Sequence, residues 1–152
     1  IGGGPEYQKI RNLVASFGLD SLFYCTGKIS FKDIPAYINA SDVCLALFDR
    51  AYRPFRKYSF FYSPMKIAEY MACGKPVIAS NFGNLKNYIV NGKNGYLINE
   101  SSVDQLVMVL QKLIKERKKI NKMGRLNIRL VRELYSWDKI NTRILARFEK
   151  GT

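Results

Sequence analysis

The sequence contains no histidine. That removes the commonest general base near neutral pH and the commonest metal ligand, so serine–histidine, cysteine–histidine and zinc chemistries are excluded within these residues. Cysteine is scarce as well. Cys25, Cys44 and Cys73 form an odd set, far apart and each among apolar neighbours. Such a pattern suits buried free thiols, not a disulfide framework or a zinc knuckle, and points to a reducing compartment. The chain has no run of about eighteen apolar residues that could span a membrane, and no cleavable signal with a charged start and an apolar middle. Acids are few: 12 Asp and Glu face 25 Lys and Arg, a net charge of +13. Residues 112–152 alone hold 13 cations against 4 acids. A solvated helical face accounts for that excess. Attraction to anionic lipid headgroups or to nucleic acid stays open on the count alone.

What is present suits an ordinary globular domain. A length of 152 residues with 47% hydrophobic side chains can fill one core, so residues 1–152 are expected to form a single domain. A strand normally precedes a glycine turn like Gly2-Gly3-Gly4, and the first residue is Ile1, so the chain is expected to be a fragment whose first strand has been cut away.

Elements then alternate. Pro5 suits the first position of a helix reaching about Phe17, and Leu22 to Thr26 reads as a short strand closed by Gly27. A helix over about 32–39, a strand over 43–48, a helix over 65–72 stopped by Gly74 and a strand over 76–80 follow. A short helix near 85–90 and a strand at 96–98 complete the alternation, which argues for a parallel α/β sheet with helices on both faces. Ser102 with Gln105 fits a capping box, before a core stripe of Val103, Leu106, Val107, Leu110, Leu113 and Ile114. Ser136-Trp137-Asp138 opens a last helix, with Trp137 expected as a packing anchor.

In such a sheet, anions collect where strands end and helices begin, because free backbone N–H groups and the helix dipole both favour negative charge. The most informative junction is Ser63-Pro64-Met65-Lys66-Ile67-Ala68-Glu69. Ser63 reads as the N-cap and Pro64 as the first helical residue, which leaves the N–H groups of Met65 and Lys66 for an anion. Lys66 adds a cation where the dipole disfavours one. Glu69, a turn deeper on the same face, can accept two hydrogen bonds from a vicinal diol such as a ribose. By spacing alone, an exposed Lys66–Glu69 ion pair is an equally open reading.

The segment Glu69-x-Met71-Ala72-x-Gly74-x-Pro76-Val77 closely resembles the signature of retaining glycosyltransferases of the GT-B fold, specifically the GT4 family. The glycine turn at Gly2-Gly3-Gly4-Pro5, Tyr24-Cys25-Thr26-Gly27-Lys28, Ala40-Ser41-Asp42-Val43, Asn91-Gly92-Lys93-Asn94-Gly95 and Ser136-Trp137-Asp138 resemble further family segments in the same order. The resemblance covers essentially the whole chain. It implies a Rossmann-like sheet, the C-terminal half of a GT-B fold, that binds a UDP- or GDP-linked sugar. The glycosyl group, of hexosyltransferase type, would pass with retention to an acceptor held mainly by the absent N-terminal domain. A lipid-linked or cell-envelope glycan acceptor fits.

Carried over by position, Glu69 would hold the ribose, Ser63, Pro64 and Met65 the diphosphate, and Gly27, Lys28 and Ile29 the base; the family's Arg and Lys that grip the diphosphate have no match in this chain, and Lys66 would stand in for part of their work on the leaving diphosphate. No metal or other cofactor is expected. The chain departs from the pattern at Phe61, where the first of two family glutamates would stand, and at Tyr62-Ser63-Pro64, where Gly-Phe-Gly is usual. Arg50, Arg53, Arg56 and Lys57 lie among aromatics in the loop before it. That loop could meet an acceptor or the anionic inner face of a membrane, or fold its aromatics back onto the core. The expected location is the cytoplasm. Nucleic acid is the less favoured partner, as part of a competing reading in which the chain is a non-catalytic basic module.

Overall fold

The computed structural model describes residues 1–51 and 64–149, in two compact units, Ile1–Tyr37 and Ile38–Thr152. In the first unit, helix α1 (Tyr7–Ser16) starts two residues after Pro5, with Glu6 rather than a proline-led turn at its N-cap. The Tyr7 hydroxyl donates to the Cys25 carbonyl over 3.2 Å, and Gly2 N–H donates to the Gly27 carbonyl over 3.0 Å. Leu22 to Thr26 does not form the expected strand. A strand exists only as a member of a ladder. Among the described residues this stretch borders just one bridge, Gly2 to Gly27, and Leu22, Phe23 and Tyr24 remain exposed.

After helix α2 (Ile34–Ala40), the second unit is built on a parallel sheet, β1 (Cys44–Ala46), β2 (Val77–Ser80) and β3 (Gly95–Ile98), in that spatial order. The register aligns Leu45 with Ile78 and Ile78 with Tyr96. β2 is buried along its whole length, as its unbroken apolar run requires of a strand covered on both sides. On one face Ala46, Val77 and Ala79 pack against Ile67 and Met71 of α3 (Met65–Ala72) and against Leu85 and Ile89. On the other face Ile78, Tyr96 and Ile98 pack against Leu113 of α4 (Val103–Lys115) and Met123 of α5 (Arg117–Leu130). Each fully buried Val, Leu, Ile or Met among these contributes about 1.5–3 kcal/mol relative to exposure.

The stripe on α4 is narrower than its sequence suggests. Leu106, Val109, Leu110 and Leu113 face the core, whereas Val103, Val107 and Ile114 are exposed. One helix laid on a short sheet covers it with a single i, i+3, i+4, i+7 line, and the flanking apolar positions fall outside that line. Gln105 N–H meets the Ser102 hydroxyl at 3.4 Å, but the Gln105 side chain accepts from Asn99 N–H at 2.7 Å instead of closing a reciprocal box. The last helix α6 (Trp137–Glu149) leaves Trp137 75% exposed, so Trp137 is no packing anchor among the described residues.

Helix α5 is fastened to the amino edge of the sheet. A Cβ on Gly124 would lie 2.1 Å from the Gly74 carbonyl oxygen, so only glycine permits this approach. Asn127, fully buried, donates from its amide to the carbonyls of Lys75 and Asn94 over 2.8 and 2.9 Å, tying the turns that precede β2 and β3 to one helix.

Candidate functional site

The carboxyl ends of the three strands and the start of α3 converge at one edge of the second unit. The Ser80 hydroxyl, at the end of β2, accepts from Phe48 N–H and donates to the Phe48 carbonyl, both over 2.8 Å. This two-way clamp fixes the residue two places after β1, and Ser80 itself is buried. Over the Phe48 ring stands the Lys66 ammonium, 5.0 Å from the centroid. Such cation–π contact holds a lysine in place without consuming its charge. Beside it, Arg50 pairs with Glu100 at 2.7 Å, donates its own backbone N–H to the same carboxylate at 2.9 Å, and lies 5.1 Å over the Phe82 ring. A crevice of about 190 Å³ opens here, lined by Phe48, Asp49, Ser80, Ile98, Asn99 and Ser102 among others.

Pro64 is the N-cap of α3, not its first helical residue: its ψ is 65°, and its carbonyl already accepts from Ile67 N–H at 2.9 Å. Met65 and Lys66 therefore begin the helix, and helix geometry leaves their N–H groups without an acceptor inside it. Lys66 and Glu69 do not pair with each other. The ion pairs among the described residues are Lys9–Glu6, Arg50–Glu100 and Lys119–Glu116. Glu69 is half-buried a turn beyond Lys66. Its charge is felt nearby. Burial, then Cys44 and Glu69, push the Tyr70 hydroxyl up; burial also raises the Cys73 thiol, with Lys75 opposing and Glu69 adding to the rise.

Of the residues singled out from sequence, Pro64, Met65, Lys66, Glu69 and Arg50 belong to the second unit. Gly27, Lys28 and Ile29 belong to the first, where Gly27 takes φ +67° at a turn. Ser63, Arg53, Arg56, Lys57 and Phe61 lie outside the described residues. Three participants escaped sequence reasoning. Ser80 was visible only as the polar end of an apolar strand. Phe48 and Glu100 carry no local signal, since their partners lie 32 and 50 residues away. Cys25, Cys44 and Cys73 are all free, with Cys44 buried and the other two half-buried. Among the described residues no three of Cys, Asp and Glu gather as a metal-binding group, and no helix is long and apolar enough to cross a membrane.

In sequence and in fold the chain resembles known proteins. The chain is 28% identical over 153 residues to the GDP-mannose-dependent α-(1-6)-phosphatidylinositol monomannoside mannosyltransferase of Mycobacterium tuberculosis, covering 99% of this chain and 38% of that protein. The fold matches sucrose-phosphate synthase of Thermosynechococcus elongatus, with a TM-score of 0.78, 22% identity, and 98% of this chain against 36% of that one. It also matches Anabaena HepE in complex with UDP-glucose, with a TM-score of 0.76, 21% identity, and 94% of this chain against 36% of that one. The architecture is thus the Rossmann-like C-terminal half of a GT-B fold. The chain spans 33% and 36% of two glycosyltransferases of Methanocaldococcus jannaschii that it also matches, about a third of such proteins. Residues 1–129 match the family of glycosyl transferases group 1, and the chain belongs to that family.

Proposed function

We propose that this chain is the donor-binding domain of a retaining glycosyltransferase of the GT4 type, which holds a nucleotide-activated sugar while an acceptor domain elsewhere in a longer protein presents the acceptor. The observation that carries the reading is the pairing pattern at the start of α3. Lys66 is braced on Phe48 instead of neutralised by Glu69, so a cation and a carboxylate on one helix face are both left for a guest.

A nucleoside diphosphate uses each of them. The diphosphate meets the helix N-terminus and Lys66, where N–H groups, dipole and ammonium all favour negative charge. The ribose diol meets Glu69. As the glycosyl bond breaks, charge builds on the leaving diphosphate, and donors fixed beforehand stabilise it without reorganising. This electrostatic task is what these residues contribute. The Anabaena relative's complexes with UDP and UDP-glucose, and the GDP-mannose dependence of the mycobacterial relative, support a nucleotide-sugar donor. The mycobacterial relative's phosphatidylinositol monomannoside acceptor supports a lipid-linked acceptor for the whole enzyme.

A thermal-shift panel of UDP, GDP, ADP and their sugars tests the reading. One base family should raise the melting temperature in a saturable way, and its sugar conjugate should do so at least as well. Equal, unsaturable shifts with all three nucleotides would contradict a donor pocket.

A further inference from the structure

The larger concavity of the second unit lies at the opposite edge of the sheet from the α3 junction. It measures about 700 Å³ and is walled by Lys93, on the turn before β3, and by Lys118, Lys119, Lys122, Arg125 and Arg129 of α5. Its floor is Gly92, Met123 and Leu126. Along α5 the cations at 118, 122, 125 and 129 recur at i, i+4, i+7 and i+11, which stacks them on one face over about 16 Å of helix. The opposite face carries Gly124 and Asn127, the two residues that fasten the helix to the sheet edge. The row of charge is therefore mounted on a fixed element.

Among the described residues, Lys119 is the one cation of this wall with an acidic partner. Helix α5 contains no acid, and Glu116 just before it is engaged by Lys119 at 3.0 Å. Like charges three and four residues apart destabilise a helix, so the row is costly to keep without an anion. The side chains also say what the anion is not. The wall offers charged donors only: it has no carboxylate to accept from a diol and no aromatic face on which a base could stack. A concave site also suits a compact guest better than a flat bilayer.

We propose that this groove is a second anion site, remote from the α3 junction, that takes a compact polyanion bearing several phosphates and no base, either a free polyphosphate or the phosphorylated headgroup of a lipid. It stands on its own geometry, whatever binds at α3.

Calorimetric titration of the chain with inorganic tripolyphosphate tests it. Binding should saturate, weaken about tenfold or more in the double variant Lys122→Glu, Arg125→Glu, and persist in Lys66→Ala. Reversing two charges within a like-charged row should leave the melting temperature unchanged or raise it, which separates lost binding from lost folding. As a matched control, Lys139→Glu with Arg143→Glu on α6 alters net charge equally and should leave the affinity within about twofold. Sedimentation with phosphatidylcholine vesicles, with and without phosphatidylinositol 4-phosphate, distinguishes the sources. Capture only by the phosphorylated vesicles, lost in the α5 double variant, assigns the headgroup; no capture alongside tripolyphosphate binding assigns a free polyphosphate. Absent or unsaturable tripolyphosphate binding, equal losses in the α5 and α6 variants, loss in Lys66→Ala, or tighter base-dependent binding of single-stranded DNA would each overturn the proposal.

Discussion

At the carboxyl ends of the strands, charge is mixed and braced. Lys66 stands over Phe48, Arg50 is tied to Glu100 beside Phe82, and Ser80 clamps the chain after β1. At the amino ends, charge is of one sign and almost unbraced, with five cations of α5 and Lys93 around a single groove. Aromatic rings and carboxylates beside cations can recognise a ligand with several different parts, such as a nucleotide sugar. A row of cations without them recognises charge density. Both edges depend on the same frame, because Asn127 and Gly124 hold α5 to the turns from which β2 and β3 start.

The largest effect should come from breaking that frame. Gly124→Ala forces a Cβ into the Gly74 carbonyl and should cost about 3 kcal/mol or more, lowering the melting temperature by roughly 10 °C in a calorimetric scan. Asn127→Ala, which strands two carbonyls, should follow at about 2–3 kcal/mol. If both variants melt like the parent, α5 is not fastened to the sheet through these two residues. A smaller and more local effect is expected at the carboxyl edge. Ser80→Ala removes both bonds to Phe48 and should cost about 1–2 kcal/mol in urea unfolding. It should also weaken nucleotide severalfold by loosening the support of Lys66, while leaving tripolyphosphate binding unaltered. Loss of both ligands would erase the distinction between the edges.

The smallest effect concerns pH. Burial pushes the Cys44 thiol above its ordinary 9.0, against lowering by the Ser41 hydroxyl and by Lys75. A thiol held neutral in the fold contributes stability that is complete below its unfolded value and is lost as pH rises through its folded value. Between about pH 8 and about pH 10, stability should fall for the parent and fall less for Cys44→Ala, as urea melts at the two pH values would show. An identical decline in both proteins would remove Cys44 as a cause.

Much of this was legible in the residues. The unbroken apolar run ending at Ser80 is a strand buried on both sides, Gly74 does stop the helix over 65–72, and the α/β alternation of the second unit follows the expected order. These features are local, so local chemistry reports them. Leu22 to Thr26 failed because a strand needs a neighbour that its own sequence does not describe. Trp137 and the outer residues of the α4 stripe failed because apolarity says that a side chain can be buried, not what is present to cover it. At the site, the Lys66 and Glu69 positions could be read from helical spacing, but the choice between mutual pairing and a shared guest could not. Among the described residues the two do not pair, and Lys66 stands over Phe48, eighteen residues earlier in the chain. The basic excess over 112–152 was likewise visible as a number, while its gathering on one face of α5, against Lys93, depends on the tertiary fold.

At the α3 junction we propose that Lys66 faces a diphosphate while Glu69 faces a ribose. Titration of the parent and of Lys66→Ala with the matching nucleoside diphosphate and with the nucleoside alone tests it most directly. The variant should lose about tenfold or more in affinity for the diphosphate and stay within about twofold for the nucleoside. Equal losses for the two ligands, or none for the diphosphate, would contradict it.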